Sequence, residues 1–301
     1  MGSALVTIDK PVFDVLVCGS LHLDIVVHTQ RLPQIDETAS GSGWEQVCGG
    51  KGGNQAVQAA RHGAKTAMIG RIGRDAFGET LLQNLNDVGV EARCVEVDSS
   101  AGSGMSVAIL QANGEYGAVF VSGANAKIDP LKLNNEWQDL SGARVLVLQN
   151  EVPEAVNLAV ARLARETGAK VVFNAAPARS LPEDFRKLVD VLVVNRVEAQ
   201  ALTGIAVNNR ASARLALPKL AGEKGAVVIT LGGQGVVVQD GDNETIEIEA
   251  LTVTVTSAHG AGDCFVGVLA AELAAGACLI QACIVANRKA AEFVSRPRHE
   301  I

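Results

Sequence analysis

Short runs of Val, Ile and Leu recur along this chain, and stretches with helical spacing separate them. Phe13 to Gly19, Thr66 to Gly70, Val145 to Gln149, Lys170 to Phe173, Val191 to Asn195 and Val227 to Thr230 read as buried strands. Residues 53–62, 75–88, 153–167, 210–223, 262–275 and 279–294 read as helices. This alternation predicts an α/β fold, with a mostly parallel sheet covered by helices on both faces. Handed crossovers make the sheet doubly wound. Hydrophobic residues are 48% of the chain and charged residues 20%, enough apolar surface for a large core. Two segments break the rhythm. The stretch 22–48 carries many turn formers, and 102–122 alternates like a hairpin with Asn113-Gly114 at its turn. Both are expected to form a small β-sheet lid on a single domain spanning 1–301.

Charge and cysteine usage exclude several roles. The net charge is −7, which lacks the basic field that drives nucleic-acid binding, so an anionic ligand needs a local device. The 6 cysteines form no C-x-x-C pair and no zinc spacing, as expected of reduced thiols in the cytoplasm. No apolar run reaches membrane-spanning length, and Met1 to Lys10 has no signal-peptide core. His28, His62 and His299 read as surface residues.

Two glycine-rich strings carry the chemistry. Ser257 to Asp263 (SAHGAGD) runs directly into an apolar helix. Small residues at Gly260, Ala261 and Gly262 let backbone N–H groups meet a ligand, with the positive end of the helix dipole behind them. Such an anion hole suits a transferring phosphoryl group, and Asp263 beside it can accept a hydroxyl proton. A plain N-capping Asp after a glycine turn fits the same string. The second string is Gly49 to Ala56 (GGKGGNQA), where Lys51 and Asn54 offer donors to hydroxyls. A flexible turn with a solvated lysine fits that one equally. It is neither a Walker A loop nor a dinucleotide fingerprint.

The strings GGKGGNQAVQAARHGA and HGAGDCFVGVLAAELAAG resemble the two signatures of the ribokinase (PfkB-type) family of sugar kinases. Between them GANAKIDP, LQNEVPEA, NAAPAR, VNRVEAQALTG and ITLGGQGV resemble further blocks in the family's order. The resemblance implies ATP-dependent phosphorylation of a sugar, D-ribose to ribose 5-phosphate, with Mg2+ and a homodimer built through the lid sheets. It assigns the general base to Asp263 and the anion hole to Gly260, Ala261 and Gly262. It assigns sugar contacts to Asp24, Gly50, Lys51, Asn54 and Glu151, with His22 beside them. Asn195 and Glu198 match the motif of the magnesium shell, which works through water. Thr230, Gly232, Gly235, His259 and Asn287 fall on the ATP side. Asp24 as a turn cap, Glu151 in a helix's first turn and Glu198 as an exposed helix residue are the plain alternatives.

Three positions depart from the family. Ser257 stands where an Asp usually helps hold an activating K+, so that cation is open to question. His22 replaces an Asn beside the substrate Asp, which changes the hydrogen bonding offered to one sugar hydroxyl. The C-terminal segment that completes the cation loop is not recognisable. His259 reads either as a phosphate contact or as a loop residue filling space. A sibling kinase acting on another sugar or a nucleoside therefore stays open, and so does a catalytically idle binding protein. No nucleic-acid or membrane partner is expected.

Overall fold

The computed structural model describes residues 13–112, 116–140, 142–221, 225–241 and 245–296. Strand β1 (Phe13–Cys18) leads into β2 (His22–Thr29) and β3 (Gly41–Gly49). Helix α1 (Lys51–Arg61) connects to β4 (Thr66–Gly73), and α2 (Ala76–Asp87) to β5 (Glu91–Asp98). Next come β6 (Gly104–Gln111), β7 (Tyr116–Val121) and α3 (Leu133–Asp139). Strand and helix then alternate through β8 (Ala143–Gln149), α4 (Glu154–Thr167), β9 (Lys170–Asn174) and the short α5 (Glu183–Arg186). β10 (Val191–Asn195), α6 (Arg196–Thr203), α7 (Arg210–Leu220) and β11 (Ala226–Thr230) continue the pattern. β12 (Val236–Gln239), β13 (Ile246–Ile248), α8 (Ala261–Ala274) and α9 (Leu279–Val294) complete it.

The main sheet has nine strands in the order β13-β12-β11-β10-β9-β8-β1-β4-β5. All pairs are parallel except the two that join β12 to its neighbours. Strand residues alternate between two cores, as the pleat requires. Leu16, Leu146, Leu192 and Val194 face α3 to α7, while Val17, Val147, Val193 and Val228 face α1, α2, α8 and α9. The central strands are therefore apolar on both sides, which is why they read as continuous runs in the sequence. Phe185 of α5 packs edge-on to Phe173 of β9 at 4.9 Å. The order reverses between β1 and β8, so the carboxyl ends of those two strands open a crevice where ligands collect in such sheets.

A second sheet has the order β3-β2-β6-β7, assembled from the two segments that broke the helical rhythm. β6 and β7 pair antiparallel, as the hairpin pattern predicts, while the Asn113-Gly114 turn lies outside the described residues. Register pairs Asp24 with Val47 and Ser106, and Ser106 with Phe120. The neighbouring register rows hold Ile25, Val107 and Val119, and then Val27, Trp44 and Ile109. One face of the small sheet is thus polar and aromatic, and the other is an apolar stripe.

The structure corrects several boundaries and adds elements. Helix α1 starts at Lys51, two residues before its predicted start, because Gly50 turns the chain with φ 82 and serves as the N-cap. A Cβ at Gly52 would come within 2.6 Å of the Ser20 nitrogen, so the glycines belong to a tightly packed helix and not to a loose turn. α3, α5, α6, β5, β12 and β13 have no counterpart among the predicted elements. They are short or, like the β5 sequence EARCVEVD, carry charged residues that hide the apolar signal. His62 is half-buried and bonds Glu272 at 2.7 Å, so it is not a free surface residue. His299 lies outside the described residues.

Candidate active site

Asp263 lies in the first turn of α8, whose N-cap is Gly260 in the left-handed conformation with φ 81. No side chain caps this helix, so its early N–H groups are left for a ligand. Of the expected anion hole, Ala261 is partly engaged, because its N–H makes a long 3.3 Å bond to the Ala258 carbonyl. The Asp263 carboxylate is 8% exposed and accepts two hydrogen bonds. Asn54 Nδ2 donates to Oδ2 at 3.0 Å, and Gln55 Nε2 donates to Oδ1 at 3.0 Å. Burial pushes the Asp263 carboxyl above its ordinary range, and the Lys51 charge and the two amides act against that push. An N-capping role is ruled out, because Asp263 sits inside the helix and Gly260 is the cap.

Lys51 and Asn54 both lie in the first turn of α1. Burial works against the Lys51 ammonium, yet Asp263, Glu151 and Glu198 together hold its pKa above the usual lysine range. It is therefore a fixed cation in the site and not a solvated turn lysine. Glu151 follows β8 and does not sit in the first turn of α4, which begins at Glu154. Its Oε2 accepts from Ser20 Oγ at 2.5 Å and from the Lys51 N–H at 2.9 Å. The carboxylate thus binds the N-terminus of α1 across the switch point between β1 and β8.

Asp24 is the third residue of β2, so it is held on a strand and does not cap a turn. Ser106 Oγ donates to its Oδ1 at 2.6 Å, and a Cβ on Gly49 would fall 2.2 Å from its Oδ2. His22 is 5% exposed, and its Nε2 has no partner while its ring lies 6.2 Å from that of Phe120. These residues line a cleft of about 690 Å³ together with Gly50, Lys51, Asn54, Glu151 and Asp263.

A smaller cleft of about 260 Å³ adjoins it, lined by Asn195, Glu198, Thr230, His259, Gly260 and Gly262. Lys51, Glu198, His259 and Asp263 border both clefts. Asn195 caps α6 in a reciprocal box: its side chain accepts from the Glu198 N–H at 2.9 Å, and Glu198 Oε2 accepts from the Asn195 N–H at 2.7 Å. Glu198 is 8% exposed, and burial raises its pKa, so it is not an ordinary exposed helix residue. A hydrated Mg2+ shared with phosphate oxygens fits such a buried carboxylate, since that ion keeps much of its water shell. No group of three or more His, Cys, Asp or Glu able to hold a metal directly occurs among the described residues.

Other predicted ligands lie elsewhere. Gly232, Gly235 and Asn287 line neither of these two clefts. Gly235 has φ 85, and a Cβ there would meet the Ile248 carbonyl at 2.0 Å, so packing against β13 demands glycine. Asn287 donates to the Glu249 carbonyl at 2.8 Å. Ser257 bonds the Val294 carbonyl through its N–H at 3.3 Å, and its Oγ accepts from the His259 N–H at 3.4 Å. This hydroxyl offers a neutral oxygen where the family usually has a carboxylate. Gln55, Gln149, Asn174, Ser20, Ser106 and Arg179 escaped the sequence reading. One signal was available: Gln149, Asn174, Asn195 and Thr230 end four neighbouring parallel strands, where polar residues mark the ligand edge.

Among the described residues no helix is long and apolar enough to cross a membrane. Residues 12–299 match the model of the pfkB family of carbohydrate kinases. The chain is 37% identical over 264 residues to the ribokinase of Mus musculus, covering 86% of this chain and 81% of that protein. It is 31% identical over 260 residues to the deoxyribokinase of Salmonella typhi, covering 85% and 84%. The structure of Arabidopsis thaliana ribokinase complexed with ribose and ATP superposes with a TM-score of 0.86 at 27% identity, covering 94% of this chain and 92% of that one. A buried carboxylate between two clefts, the family match and these relatives agree: the chain belongs to the pfkB family of carbohydrate kinases.

Proposed function

We propose that the protein transfers the terminal phosphoryl group of ATP to a hydroxyl of D-ribose, giving ribose 5-phosphate. The observation that carries this reading is the position of Asp263: a buried carboxylate where a large polar cleft meets a smaller one, beside an uncapped helix N-terminus. ATP would lie along the smaller cleft by Thr230 and His259, with its terminal phosphate at the amides of Gly260, Ala261 and Gly262. The sugar would lie in the larger cleft, held by Asp24, Lys51, Asn54 and Glu151 with backbone from Gly50. Asp263 accepts the acceptor's proton as its oxygen attacks phosphorus. Lys51, at the border of both clefts, would stabilise negative charge on the transferring phosphoryl group. Glu198 and Asn195 would hold Mg2+ through water, and that ion neutralises charge on the phosphate oxygens when bound.

We further read the chain as one domain, with segments 22–48 and 102–122 acting as a lid that excludes water on closure. The apolar outer face of that sheet, with Trp44 66% and Val119 71% exposed, supports pairing of two copies through their lids. The six free cysteines suit the cytoplasm.

ATP consumption with Mg2+ over ribose, 2-deoxyribose, other sugars and nucleosides, each with and without K+, tests the reading. Ribose turnover that Asp263→Ala cuts by about 10²–10⁴-fold is expected; near-normal turnover in that variant would sink it. One observation favours a second acceptor. The unpartnered His22 Nε2 in the sugar cleft changes the polar complement offered to one hydroxyl, and a preference for 2-deoxyribose or a nucleoside in the same panel would move the substrate while keeping the mechanism.

A further inference from the structure

Behind Asp263 lies a row of buried amides. Gln55 and Gln149 are fully buried and line neither cleft, and Asn174 is 8% exposed. Gln55 uses every polar atom it has. Its Nε2 donates to Asp263 Oδ1 at 3.0 Å and to Asn174 Oδ1 at 3.1 Å, while its Oε1 accepts from Gln149 Nε2 at 2.8 Å. Turning that amide over would set an oxygen against a carboxylate and a nitrogen against a nitrogen, so the orientation is fixed by its neighbours. Gln149 is held through its backbone, whose carbonyl accepts from Asn157 Nδ2 at 2.8 Å, while its buried side-chain Oε1 has no partner and leaves room only for a glycine at 19, where a Cβ would fall 2.0 Å from it.

The row ends on one particular oxygen. Oδ1 of Asp263 is engaged by the fully buried Gln55, whereas Oδ2 is engaged by Asn54, which lines the sugar cleft. A general base must present one lone pair to the acceptor hydroxyl in a set direction.

We propose that Gln55, braced by Gln149 and Asn174, is a positioning residue that anchors Oδ1 of Asp263 and so aims Oδ2 at the acceptor hydroxyl. As the acceptor oxygen bonds to the terminal phosphorus, its proton passes to Oδ2. The bond from phosphorus to the bridging oxygen breaks, and ADP leaves with that electron pair. The inference rests on Asp263 being the base, as proposed above.

The test uses Gln55→Leu, Gln149→Leu and Asp263→Asn in the full chain, with steady-state kinetics across pH, and thermal melts to establish folding. Gln55→Leu should lower kcat by about 10²-fold with both KM values within about threefold. The acid limb of its pH profile should move to higher pH, because the lost donor favoured the charged carboxylate. Lys51 from α1, Glu151 after β8, Glu198 from α6 and His259 before α8 face the same space and are unchanged in these variants. Gln149→Leu should shift both quantities the same way by a smaller factor, and the double variant should be no worse than Gln55→Leu. A folded Gln55→Leu with kcat within about threefold of the parent and an unmoved acid limb overturns the inference. So does a uniform loss at all pH with Gln149→Leu unaffected. If Gln55→Leu does not fold, Gln149→Leu decides alone, and a normal profile there overturns it. Turnover retained in Asp263→Asn would instead remove the base reading beneath it.

Discussion

Burial shifts the ionisation of Asp263 and so carries a cost to stability. In the unfolded chain its carboxyl ionises near the ordinary aspartate value of about 3.9, whereas in the folded chain burial raises that pKa. Between the two values the folded state binds more protons, so stability falls as pH rises through that window. Above it the cost is constant. The melting temperature of the parent, relative to Asp263→Asn, should therefore fall as pH rises through that window. Calorimetry on both sides of it checks this, and a difference that does not change with pH contradicts it. The capping box makes a separate prediction. Asn195→Ala removes the acceptor for the Val197 and Glu198 N–H groups and should cost about 1 kcal/mol in urea unfolding. It also frees Glu198 to move, so the Mg2+ concentration needed for half-maximal activity should rise; an unchanged requirement would separate the cap from the metal.

At the scale of elements, the site depends on how closely α1 meets α8. Gly267 lies one turn after Asp263, and a Cβ there would fall 2.6 Å from the Gln55 carbonyl and 3.0 Å from the Ala59 nitrogen. These two are backbone atoms and the third neighbour, Gln58 Cβ at 2.9 Å, is fixed to the backbone, so none can swing aside as the end of a side chain can. Gly267→Ala should force the helices apart, cost about 1–3 kcal/mol in denaturant unfolding, and lower kcat by more than it raises either KM. Parent-like kcat in that variant would show that the contact sets stability alone. Glu151 works across elements as well: from the end of β8 it accepts from Ser20 and from the first N–H of α1, so three segments converge on one carboxylate.

At the scale of the molecule, two sheets divide the labour. The nine-stranded sheet with its helices carries Asp263 and the smaller cleft, and the four-stranded sheet carries His22, Asp24 and Ser106 over the larger one. The cleft-facing and apolar rows of the small sheet alternate, so both faces are built from the same strands. Val119→Asp, on the apolar row and away from the cleft, should halve the mass seen by light scattering and raise the sugar KM with little change in the KM for ATP. A parent mass that is already monomeric would remove the lid pairing from the account.

The sequence alone determined the alternation of strands and helices, because strands buried on both faces must be apolar throughout and each run is bounded by its own helix. It also marked Asp263, Lys51, Asn54 and the glycines around them, because each lies in a short glycine-rich string at the start of a helix. What it did not reveal are contacts between segments remote in sequence. Asp24 and Glu198 each kept a plain alternative, a turn cap and an exposed helix residue, until β6 placed Ser106 beside the one and burial enclosed the other. Gln55 and Gln149 read as ordinary polar residues of a helix and a strand end. Only the parallel pairing of β1 with β8, and the closeness of α1 to α8, brought their amides behind Asp263. A hydrogen bond depends on three-dimensional proximity and direction, and no spacing along a single chain encodes either for partners 94 or 208 residues apart.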